Sequence, residues 1–129
     1  MGIELRMLVW AVILGLVQIA LTALGMLGQR GLGWAASPRD DVRGPLVGIA
    51  GRLDRARGNF LETFAFFAAA VLMVVALQRQ NATTALGAEL YFWARLVYLP
   101  VYAAGIPYLR TLVWAVSMVG IVMLLGVLV

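Results

Sequence analysis

Cysteine, histidine and lysine are all absent from the 129 residues. Without them the chain has no thiol nucleophile, no disulfide, no imidazole base and none of the usual metal ligands. Charge is sparse too, at 12% of residues, and every basic residue is arginine. Any chemistry must therefore run on Arg, Tyr, Asn, Glu, the backbone or a borrowed cofactor, and no metal site is expected. What fills the sequence is apolar, with 64% hydrophobic residues and a mean hydropathy of +0.97. A soluble chain this small has too little interior to hide that surface, so a lipid bilayer must cover it. The net charge of +4 does not point to nucleic acid, because the arginines cluster beside apolar spans and set membrane orientation instead.

The pattern predicts an all-α membrane protein, a single four-helix transmembrane domain over 1–129 with spans near 7–27, 47–77, 85–104 and 108–129. A span of about 20 residues reaches roughly 30 Å, the thickness of the hydrocarbon layer. The first is long for a signal-peptide core and is expected to stay in the protein. Gln29 to Pro45, with Gly31, Gly33, Pro38, Gly44 and Pro45, reads as a loop that also carries Arg39, Asp40, Asp41 and Arg43. The second helix is too long to lie wholly in lipid. Arg30, Arg39, Arg43, Arg52, Arg55, Arg57 and Arg110 fall on one side and Arg6 and Arg79 on the other. The positive-inside rule then puts the first and third loops in the cytoplasm and both termini outside it. The arginine bias leans towards a bacterial inner membrane.

Ionisable groups inside a span cost about 2.5 to 3.5 kcal/mol each on insertion scales, so each is a candidate functional residue. On the second helix Arg52, Arg55, Asn59 and Glu62 follow spacings of three and four and share a face. On the third, Tyr91, Arg95, Tyr98 and Tyr102 do the same. The two helices run antiparallel, which puts Glu62 and Arg95 at similar depth and predicts that they pair. Glu89, nearer the outer end, is expected to pair with Arg79 or Arg6. Arg110 opens the fourth helix; alone it would be a positive-inside anchor. Together with Arg52, Arg55, Asn59, Tyr98 and Tyr102, however, it is expected to line one cytoplasmic-side cleft. Such a cleft suits a ligand with carboxylates, because guanidinium forks bind them bidentately. If that ligand carried a thiol, Arg110 would favour its ionised form, and a tyrosine would donate to it.

The run Arg55-Ala56-Arg57-Gly58-Asn59-Phe60-Leu61-Glu62 resembles the second-helix signature of the MAPEG superfamily, the membrane-associated proteins in eicosanoid and glutathione metabolism. Ala94-Arg95-Leu96-Val97-Tyr98, then Tyr102 and Arg110, is similar to its second signature. The resemblance covers essentially the whole chain and implies a homotrimer with glutathione held between neighbouring subunits. It implies that Arg55, Asn59 and Glu62 hold the glutathione backbone with Tyr98 and Tyr102 beside them, that Arg110 stabilises the thiolate, and that Arg30 makes a further contact. Arg52 joins the set by spacing, and Arg95 by its place in the second signature. The expected activity is a glutathione transferase or peroxidase acting on lipophilic electrophiles or lipid hydroperoxides. A noncatalytic lipid-binding or scaffold protein of the same fold is the alternative. A small four-helix multidrug transporter is a third reading, but it would need a membrane-embedded Glu in the first helix, and Glu4 precedes the span.

Overall fold

Each helix starts and stops where local chemistry allows. The computed structural model describes residues 1–39 and 44–129; Asp40, Asp41 and Arg43 of the expected loop lie outside the described residues. Helix α1 covers Ile3–Arg30, with Glu4 in its first turn and Arg30 in its last, both favourable to the helix dipole. It overruns the expected span by about a turn at the N-terminal end and nearly a turn at the other, because the helix runs on until Gly31 ends it. A short helix, α2, Leu32–Ala36, forms inside the segment expected to be loop. Helix α3 covers Gly48–Ala76, and its 29 residues, about 44 Å, exceed what lipid needs. Gln29 ties its start to the end of α1: its amide donates to the Val47 carbonyl and accepts from the Val47 N–H.

Helix α4, Ala82–Ala103, begins three residues before the expected span because Asn81 and Thr84 cap it reciprocally, at 3.0 and 2.8 Å. The Thr84 hydroxyl also donates to the buried Glu4 carboxylate at 2.6 Å, fastening α1 to the start of α4. Helix α5, Pro107–Leu128, opens on a proline whose missing N–H costs nothing in the first turn. The tight reversal before it uses Gly105 at φ 76°, a left-handed conformation that a side chain would strain.

The four long helices form one bundle. α1 packs on α3 and α4, α5 packs on α4 and α3, and the backbones of α1 and α5 stay apart among the described residues. The core stacks Phe67 on Tyr91, centroids 4.0 Å apart, and adds Phe60, Val71 and Val74 from α3, Leu14 from α1 and Leu124 from α5. The exterior is apolar as well, with Leu16, Leu24, Phe66 and Val122 all more than 60% exposed. Helices α1, α3 and α5 are long and apolar enough to cross a bilayer. That makes this an integral membrane protein whose outer surface is solvated by lipid.

α4 and α5 approach most closely where Gly87 faces Gly120. A Cβ on Gly120 would stand 2.5 Å from the Gly87 carbonyl oxygen and 2.8 Å from the Tyr91 nitrogen, so the backbones themselves would have to part. Gly120→Val is therefore expected to destabilise the bundle by about 1–3 kcal/mol. Thermal unfolding in detergent checks this against Gly126→Val, at a position with open space around it.

Candidate functional site

The polar residues of α3 take their places from helical phase. Measured from the core-facing Phe60, Arg52 and Asn59 lie roughly 80–100° to one side, Arg55 roughly 140° and Glu62 roughly 160°. The first two therefore flank the core, and Arg55 and Glu62 face outward and are exposed. On α4 Tyr91, Arg95, Tyr98 and Tyr102 all fall within roughly 60° of one another, on the inward face. These stripes meet at the end of the bundle where α3 and α5 begin and α4 ends.

Two adjoining cavities form there. One, of about 290 Å³, is lined by Asn59, Tyr98, Tyr102, Arg110, Thr111 and Trp114. The other, of about 110 Å³, is lined by Arg52, Arg55, Tyr102, Arg110 and the turn 105–107. Tyr102 and Arg110 belong to both, so the six residues expected to line one cleft are divided between two cavities that share these two residues.

A ladder of rings and guanidinium groups runs from the core into this cleft. The Arg95 guanidinium lies 4.2 Å from the centroid of the Tyr98 ring, the Tyr98 and Tyr102 rings are 5.5 Å apart, and Arg110 lies 4.8 Å from the Tyr102 centroid. Each cation is held against an aromatic ring rather than against a carboxylate. Arg52 is fixed differently: its Nε–H donates to the Ala103 carbonyl at 2.7 Å, closing the last turn of α4 onto α3. Among the described residues, the Arg55 and Arg110 guanidinium groups and the Tyr98 and Tyr102 hydroxyls make no hydrogen bond, and the buried Asn59 Oδ1 has no donor. A buried acceptor without a partner costs free energy, so Asn59 is poised for a donor that enters from outside.

The other expected site residues lie elsewhere. Arg95 is 1% exposed, and none of its three nitrogens has a hydrogen-bond partner. The pairing with Glu62 is not formed, because their helical phases send Arg95 inward between Phe60 and Tyr98 while Glu62 faces out. Arg30 stands over the Trp34 ring and donates to the Gly44 carbonyl, outside both cavities. Trp114 is a cavity residue that sequence reasoning missed, although its spacing of four from Arg110 puts it on the same face of α5.

Three membrane-length apolar helices, with a cationic, tyrosine-lined cleft at one end, define a helical integral membrane protein whose polar pocket suits an anionic ligand. The chain belongs to the MAPEG family, whose model matches residues 7–129. That membership gives it a membrane role related to glutathione or eicosanoids in general. No curated protein matches it.

Proposed function

We propose that this protein is a glutathione-dependent membrane transferase or peroxidase acting on lipophilic electrophiles or lipid hydroperoxides. The observation that carries this reading is the convergence of Arg110, Tyr98, Tyr102 and the unpartnered Asn59 Oδ1 on one polar cavity. The donor set fits glutathione. Arg52, Arg55 and Arg110 offer cationic forks to its two carboxylates, and Asn59 offers an acceptor to an N–H. Bound glutathione supplies the sulfur nucleophile that the chain lacks. Arg110 stabilises the negative charge on that sulfur, and Tyr98 or Tyr102 donates a hydrogen bond to it. The Trp114 side of the cavity receives the apolar substrate from the lipid.

In this reading α4 is the fourth span, the Arg110 end faces the cytoplasm, and the protein is a homotrimer. Exposed Arg55 and Glu62, both within the second-helix signature, are then covered by a neighbouring subunit, which completes the glutathione site. Native mass spectrometry is expected to give three times the 13.9 kDa chain mass.

The test is an ultraviolet difference spectrum of purified protein with glutathione, together with turnover of a generic aromatic electrophile and of a lipid hydroperoxide. A thiolate band with turnover supports the enzyme. Glutathione binding with neither band nor turnover identifies a noncatalytic member, and no binding at all rejects the site. Asn59→Leu is expected to weaken glutathione binding about tenfold, since one hydrogen bond in a desolvated site is lost. Calorimetric titration measures it.

A further inference from the structure

α4 carries two charged side chains along its apolar length, and they point different ways. Arg95 turns into the bundle, whereas Glu89 lines a groove of about 360 Å³ between α4 and α5. The groove walls include Leu90, Trp93, Val97, Val113 and Val116, and Glu89 is the one charged residue among those lining it. Seven residues beyond Ala82, Glu89 sits roughly 10 Å along the helix axis; with α4 as the proposed fourth span, on which this inference rests, that is deeper than a headgroup contact needs. Its expected partners do not reach it. Arg79 donates to the Val127 carbonyl at 3.5 Å, and no hydrogen bond or ion pair engages the Glu89 carboxylate among the described residues.

A carboxylate at this depth is costly unless something neutralises it, and no other charged side chain lines the groove. We propose that the groove is a binding site for lipophilic amines. The ammonium group pairs with Glu89 and lies against the Trp93 indole, a favourable surface for a cation. The alkyl body runs along Val97, Val113 and Val116. Charge complementarity selects the class: an amphiphile ending in phosphate or carboxylate would be repelled, and a neutral one would leave the acid unpaired. The groove lies towards the opposite end of α4 from Arg110 and does not depend on the glutathione reading.

Equilibrium binding of decylammonium and of decanol, measured in zwitterionic nanodiscs with empty discs subtracted, tests this directly. The wild-type protein is expected to bind the ammonium at least about tenfold more tightly than the alcohol, and Glu89→Gln to bring the two within about twofold. Val113→Trp, which fills the groove and keeps the acid, is expected to abolish saturable binding of both, with an unchanged thermal unfolding midpoint in detergent as proof of folding. A preference that survives in Glu89→Gln overturns the proposal, as does the absence of saturable binding to wild type. A change of oligomer size in Glu89→Gln also overturns it, because the groove would then be a contact between subunits.

Discussion

Replacing Arg110 with alanine is expected to lower turnover about 10²- to 10³-fold, while glutathione binding falls by only about tenfold. The two effects differ because the guanidinium has two tasks. As one of three arginines around the cleft it shares the attraction for carboxylates with Arg52 and Arg55, so its loss is partly covered. As the one arginine that lines both cavities, it is the cation that the proposed function sets against the sulfur, where neither Arg52 nor Arg55 would replace it. The thiolate band is expected to vanish in Arg110→Ala under saturating glutathione. Arg110→Lys keeps the charge but loses the planar group stacked on Tyr102, and is expected to restore the band partly without restoring the wild-type rate. Equal bands in wild type and Arg110→Ala would place thiol activation elsewhere.

A second large effect is expected at Arg95, on turnover more than on stability. Arg95→Met is expected to change the bundle's stability by no more than about 1.5 kcal/mol downward and about 2.5 kcal/mol upward, while turnover drops about tenfold. The guanidinium is buried and makes no hydrogen bond, so its removal relieves a desolvation cost of about 2.5–3.5 kcal/mol on insertion scales. Against that stand its contacts with the Tyr98 and Phe60 rings, each worth about 0.5–2 kcal/mol. The ladder through Tyr98 and Tyr102 to Arg110 then loses its anchor, and the cleft residues are held less firmly. Thermal unfolding and turnover, measured on the same preparation, separate the two effects. A collapse of stability in Arg95→Met would reveal a partner for the guanidinium and exclude a positioning role.

Much of this was legible from residue order. Uninterrupted apolar runs specified the bundle, since hydrocarbon accepts only backbone that satisfies its own hydrogen bonds. Periodicities of three and four brought Arg52, Asn59, Tyr98, Tyr102 and Arg110 to one end, because helical phase is fixed by counting. Where the reading missed, the missing information was partner choice. Depth alone predicted the Glu62–Arg95 pair, but depth does not determine azimuth, and the two side chains face different sectors. The early start of α4 depended on a cap that a hydropathy window does not see. Trp114 carried a spacing signal but no chemistry to draw attention to it.

The sequence by itself thus determined the solvent, the helices and the end of the bundle at which the polar residues gather, since each follows from local composition and the 3.6-residue repeat. Only the tertiary structure decided which neighbours those residues meet. The close approach at Gly87 and Gly120 sets how α5 lies on α4, and the packing of α3 on α4 sets where the stripes converge. From these follow the ring-and-guanidinium ladder, the open acceptor on Asn59 and the unpartnered acid at Glu89, which depend on distances between helices that no run of residues encodes locally.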